Sequence, residues 1–121
     1  MRPSITTIHA LRKRCESAGH PEHAIERDIH RAFSNGEAFV STPITSSTDA
    51  AIAFVERTIP GCCYFIGKGR MRITEPLYGC VICASPDFAS SEIGAGEHAV
   101  NLAFAIIIAA LNALERQDDA A

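Results

Sequence analysis

The tightest constraint in this chain is a change of period at Ile59-Pro60-Gly61. Before it, apolar residues recur at helical spacing; after it, they alternate. Ser46, Ser47 and Thr48 lead the helical run, where a hydroxyl can accept a bond from a first-turn amide, and Asp49 adds negative charge at the positive helix end. Ile52, Val55 and Ile59 share one stripe, with Ala51 and Phe54 beside it, while Glu56 and Arg57 lie off the Ile52–Val55 line. This predicts an amphipathic helix with one buried face. Proline cannot continue the hydrogen-bond ladder and glycine takes the reversal, so the helix stops there.

Strands are expected next. Cys63 and Phe65 alternate with Cys62, Tyr64 and Ile66, and Gly67-Lys68-Gly69 reads as a hairpin turn. The returning strand sets Met71 and Ile73 against Arg70, Arg72 and Thr74, and Glu75-Pro76 breaks it. Tyr78 to Ala84 is apolar on both faces, which suggests a sheet covered by helices on both sides.

The flanking segments read as helices. Ser4 is the expected N-cap of a first helix carrying Ile5, Ile8, Leu11, Cys15 and Ala18, with Gly19 as its left-handed C-cap and Arg12-Lys13-Arg14 on its outer face. Pro21 sits where a second helix begins. Its stripe is Ile25, Ile29, Ala32 and Phe33; Glu22, Glu26, Arg27, Asp28 and Arg31 fall on its solvated side, and Asn35-Gly36 closes it. Phe39, Val40 and Ile44 suggest a short edge strand within Glu37 to Ile44, limited by Pro43. Ser85 to Gly96 reads as a loop. Glu97 to Arg116 reads as an alanine-rich helix, apolar almost all round from Leu102 to Leu111, hence either deeply buried or packed on a second subunit.

The expected fold is thus one α+β domain over residues 1–121, in the order ααβαβββα. Its sheet is mainly antiparallel, three- to four-stranded, with helices on both faces in an α-β-α sandwich. A chain of 121 residues can build such a core without disulfides or metal. The formal net charge of -3 argues against a double-stranded nucleic-acid partner. Met1 to Arg14 has no continuous apolar core, and Ala99 to Leu111 is too short to span a bilayer, so a soluble, cytoplasmic protein with no membrane partner is expected. An odd cysteine count of 5 fits reduced thiols better than a disulfide framework.

Candidate sites are few. Cys80-x-x-Cys83 suggests zinc, with Cys62, Cys63 and His20-x-x-His23 elsewhere. Strand residues three apart face opposite ways, however, so four small core residues is the better reading. Cys63 with His98 would make a nucleophile pair, but no motif joins them. Lys68, Arg70 and Arg72 lie together on the expected hairpin and could clamp a phosphate or carboxylate, with Tyr64 on the partner strand stacking over the ligand. Gly94-x-Gly96 resembles an anion-binding turn, which Glu92 and Glu97 oppose. No catalytic residue, metal or cofactor is expected.

SSTDAAIAFVERTIPG, the following CCYFIGKGRMRI, the early EHAIERDIHRAF and the C-terminal NLAFAIIIAALNAL together resemble the phage ABA sandwich domain, a family of unknown function in phage and prophage proteins. The family's Leu-Pro-Gly stop is Ile59-Pro60-Gly61 here, and its tryptophan-rich strand carries Cys62, Cys63 and Tyr64. The resemblance implies an antiparallel sheet between helical layers and transfers no catalytic residues. It suggests a small phage accessory protein acting by binding: a counter-defence protein that sequesters a nucleotide-like anion or blocks a host defence protein. The binding face would be Lys68, Arg70 and Arg72 with the Ser85–Gly96 loop. The alternatives are a small enzyme with a buried thiol or metal, and a structural phage component that self-associates through its C-terminal helix.

Overall fold

The computed structural model describes residues 3–33, 43–72, 75–84 and 92–120, excepting the side chains of 70–72, 75, 76 and 118–120. Three helices come first: α1 (Ile5–Ser17), α2 (His23–Phe33) and α3 (Thr48–Thr58). Three strands follow, β1 (Cys63–Arg72), β2 (Glu75–Cys83) and β3 (Glu92–His98), and α4 (Leu102–Ala120) ends the chain. The strands form one antiparallel sheet in the order β1-β2-β3. The α+β class, the antiparallel sheet and the helices packed against it are as the sequence leads one to expect.

The first helices start and stop where local chemistry directs. Ser4 and Ser47 cap α1 and α3, accepting from the amides of Thr7 and Ala50 at 3.2 Å each. α3 closes with the Ile59 amide on the Val55 carbonyl at 2.8 Å, and Gly61 then takes φ 80°, a conformation that costs a side-chain-bearing residue energy. Gly19 does not act as a left-handed cap: α1 leaves through Ala18 at φ -70° and ψ 129°. Most of the expected strand within Glu37 to Ile44 lies outside the described residues. Its described end is a turn, with the Ser47 amide on the Pro43 carbonyl at 2.8 Å.

The strands differ from expectation in three ways. Gly67-Lys68-Gly69 is not a hairpin turn but mid-strand, with Gly67 opposite Gly79, Lys68 opposite Tyr78 and Gly69 opposite Leu77. Neither glycine adopts the positive φ that a tight hairpin turn requires. Glu75-Pro76 does not break the sheet but opens β2. Glu92 to Gly96 is strand rather than loop, and Glu97 and His98 continue it, so the last helix begins five residues later than expected.

The core sits around α4. Ala103 to Leu111, Ala113 and Leu114 are all buried, between the sheet and the helices α1 and α3. Its apolar girth is satisfied within its own chain, so this stretch has no bare face for a second subunit. Among the described residues α4 is the helix with extensive sheet contact, from one side only, which gives a sheet–α4–α1/α3 stacking where helices on both faces were expected. The reason is the close fit of β3 to α4. A Cβ built on Gly96 would lie 2.5 Å from the Ala105 carbonyl oxygen, and one on Gly94 2.5 Å from that of Ala109. Glycine over alanine lets strand and helix approach backbone to backbone. No helix among the described residues is long and apolar enough to cross a membrane.

Candidate binding face of the sheet

Register and alternation divide the sheet into two faces. Ile66, Cys80, Ile82, Gly94, Gly96 and His98 face α4; all but Ile66 are buried. The outer face carries the rungs Cys63–Cys83, Phe65–Val81–Ala95, Gly67–Gly79–Glu97 and Gly69–Leu77. The paired Gly67 and Gly79 leave a strip of bare backbone between the apolar side chains of Phe65 and Val81 and that of Leu77. The result is a trough of about 440 Å³ bordered by Phe65, Leu77, Val81, Ala95 and Glu97 over that glycine floor. Phe65 is 55% exposed, among the most exposed of the large apolar side chains described. A Cβ on Gly67 or Gly69 would meet nothing within 4 Å, so the floor is open rather than filled by a neighbour.

The residues expected to bind an anion are only partly brought together. Lys68 lies on β1, exposed, with its ammonium over the Tyr78 ring at 5.5 Å. Arg70 and Arg72 continue the same strand, opposite Pro76 and Glu75 with an irregularity between them; their side chains lie outside the described ones. Tyr64 is not on a partner strand but four residues earlier on β1, roughly 13 Å along it. Its hydroxyl reaches Glu56 at 3.4 Å and its ring packs against the core. The aromatic ring beside Lys68 is therefore Tyr78. Of the expected loop, 85–91 lies outside the described residues, and Glu92 to Gly96 belongs to β3.

Of the candidate reactive groups, Cys80 and His98 are held in structural roles. Burial pushes the Cys15 and Cys80 thiols up to about 12, which removes them as thiolates near neutrality. His98 does not meet Cys63. Its Nε2 lies 2.9 Å from the Cys15 carbonyl oxygen, and its Nδ1 accepts the Val100 amide at 3.0 Å. No cluster of three or more His, Cys, Asp or Glu suited to a metal occurs among the described residues.

Two polar centres escape a reading by periodicity. Glu26, expected on a solvated face, is 5% exposed and bonded to Thr45. Its burial comes from the Pro43–Ser46 turn folding over α2, a long-range event that helical spacing does not register. Glu115 on α4 meets Arg12 and His9 of α1. Burial alone would raise the Glu115 pKa, but hydrogen bonds from Arg12 and His9 outweigh it and hold the carboxyl below its ordinary range. No family model, curated protein or solved structure matches the chain.

Proposed function

We propose that this protein acts by binding, and that the outer face of its sheet receives the planar ring of a nucleotide-like anion. The observation that carries this reading is the glycine floor: Gly67 and Gly79 pair across β1 and β2 at the base of a trough of about 440 Å³. That volume falls in the range of small-ligand sites, about 300–1,000 Å³. Bare peptide planes accept a flat ring, and Phe65 and Leu77 supply apolar edges. Glu97 offers an acceptor for a ring amino group. Lys68 and Arg70 share the register of the α4-facing rungs on β1, the edge strand of the described sheet, and Arg72 pairs with Glu75 beyond the irregularity, so the charged part of such a ligand would reach them around the β1 edge at the Leu77 end. A carboxylate at the trough disfavours phosphate beside Glu97 on β3, so the phosphate belongs across the sheet, on the β1 side.

On this reading the chain is a phage accessory protein of the ABA sandwich kind, and its ligand a nucleotide signal of host defence. Resemblance in sequence supports that context; the trough supports the binding mode. A second reading rests on the apolar exposure of β1. Phe65 and Ile66 are 55% and 40% exposed on a strand that lies at the sheet's edge among the described residues, a surface suited to a host protein.

Titration calorimetry with adenosine monophosphate and cyclic di-adenosine monophosphate tests the first reading. Gly67→Val fills the floor where no neighbour stands in the way, so it should abolish binding and leave the melting temperature within a few degrees. Arg70→Ala with Arg72→Ala should weaken the same binding at least tenfold. Binding that survives both changes removes the trough from the site, and failure of both probes to bind moves the weight to the protein-partner reading.

A further inference from the structure

We infer that Cys63 and Cys83 form a cross-strand dithiol that closes reversibly to a disulfide at the end of the outer face, independently of what the trough binds. The two residues are direct partners in the β1–β2 ladder, on its final described rung. Directly opposed residues of an antiparallel pair project to the same face. Their Cα atoms lie about 4.5 or 5.5 Å apart, depending on the type of rung, and both distances fall within the roughly 4.4–6.8 Å that a disulfide spans. No other pair among the described cysteines shares a rung.

The two thiols differ in access in the way that stepwise exchange requires. Cys63 is half-buried and begins its strand, one residue beyond the irregular Gly61-Cys62 segment, so it can meet a small molecule. Cys83 is fully buried and can act only on a sulfur already beside it. Cys62 is adjacent in sequence, but it precedes β1 and has no rung partner, it packs against the core, and burial raises its thiol pKa, which suppresses its thiolate. Cys80 faces α4.

The oxidant is a small disulfide such as glutathione disulfide. The Cys63 thiolate attacks one of its sulfurs; that S–S bond breaks, a protein–glutathione bond forms, and one glutathione thiolate leaves. Cys83, deprotonated, then attacks the Cys63 sulfur and expels the second glutathione. Two protein thiols become one disulfide, losing two electrons. The glutathione disulfide gains those electrons, and the two protons end on the two released glutathione thiols. The bond fastens β1 to β2 beside the Phe65–Val81 rung, which makes it a covalent end wall for the trough.

Treating the native protein with glutathione disulfide, quenching with acid and mapping tryptic peptides tests this. Cleavage at Lys68, Arg70 and Arg72 separates a peptide holding Cys62 and Cys63 from one holding Cys80 and Cys83, so fragmentation of the linked pair, checked with the cysteine variants, identifies the bond. The inference expects a Cys63–Cys83 link in the wild type and in Cys62→Ser, released by dithiothreitol, with a higher melting temperature in the linked form. Cys63→Ser should lose the link, and Cys83→Ala should retain glutathione on Cys63. Should Cys83→Ala fail to fold, the wild-type and Cys62→Ser maps decide. A link through Cys62 or Cys80, a glutathione adduct that persists in the wild type, or no native-state reaction would each overturn it.

Discussion

Glu26 and Thr45 are joined by two hydrogen bonds to a single oxygen. The Thr45 amide donates to Glu26 Oε2 at 3.1 Å and the Thr45 hydroxyl to the same atom at 2.9 Å, with Thr45 fully buried. The same hydroxyl oxygen accepts the Glu22 amide at 3.2 Å, near the N-terminus of α2. Removing the carboxylate strands two buried donors at once, each worth about 1–3 kcal/mol. Glu26→Ala is therefore expected to destabilise the protein by about 2–4 kcal/mol. Glu26→Gln keeps an acceptor oxygen and should lose about half as much. Urea unfolding followed by circular dichroism checks the order, and equal losses would mean that the negative charge matters and the acceptor does not.

The far side of Thr45 leads to α4. Asn101 Nδ2 donates to the Thr45 carbonyl at 2.9 Å, while Asn101 Oδ1 caps the helix by accepting the Phe104 amide at the same distance. Aspartate is as good a cap and adds favourable charge at a helix N-terminus. Here it lacks the amide donor and would turn a carboxylate oxygen toward a carbonyl oxygen. Asn101→Asp should accordingly destabilise by about 1–2 kcal/mol despite its better capping chemistry. A neutral or stabilising result in the same unfolding experiment would reduce Asn101 to a simple cap.

Glycine contributes oppositely on the two faces of the sheet. On the inner face a Cβ at Gly96 would stand 2.5 Å from both the Ala105 oxygen and the Ala109 nitrogen, and those are backbone atoms that cannot rotate away. Gly96→Ala forces α4 off the sheet and should cost about 3 kcal/mol or more, at the upper end of overpacking penalties. On the outer face Gly67→Ala meets open space and should cost less than about 1 kcal/mol. Parallel urea titrations of the two variants make the comparison, and similar midpoints would argue that β3 does not lie against α4 as described.

That contrast also explains what the sequence could disclose. Capping at Ser4 and Ser47, the stripes of α1 and α3 and the stop at Pro60-Gly61 are local, and spacing alone exposes them. Gly67-Lys68-Gly69 and Gly94-Ala95-Gly96 were legible only as turn or loop, because glycine in a strand usually marks one. Their actual uses are relations between distant segments: one glycine pair meets across β1 and β2, and the other admits the backbone of α4. The trough was hidden for the same reason, since its floor is made of residues without side chains. Lys68, Arg70 and Arg72 were found as charges, but their strand neighbours depend on a register that only the folded sheet fixes. Glu26 looked solvated because nothing in α2 itself announces the Thr45 turn.

His98 should make the fold acid-sensitive. Its ring stacks on Phe104 with centroids 4.5 Å apart and is 6% exposed. Because Nδ1 accepts the Val100 amide, Nε2 carries the proton donated to the Cys15 carbonyl, and both nitrogens are committed in the neutral ring. Burial lowers its pKa from the ordinary 6.5, against the opposing effect of bonds to the Cys15 and Ala18 carbonyls. The folded pKa thus lies below the unfolded one. The stabilisation is complete above about pH 6.5 and is lost as pH falls through the folded value, because the unfolded chain takes up the proton first. Protonating Nδ1 also sets a donor against the Val100 amide. Melting temperatures measured from pH 8 to pH 5 should fall in the wild type over the acid half of that range. His98→Asn should start lower and fall less, which assigns the acid response to this ring. Parallel wild-type and variant curves would assign the acid response elsewhere.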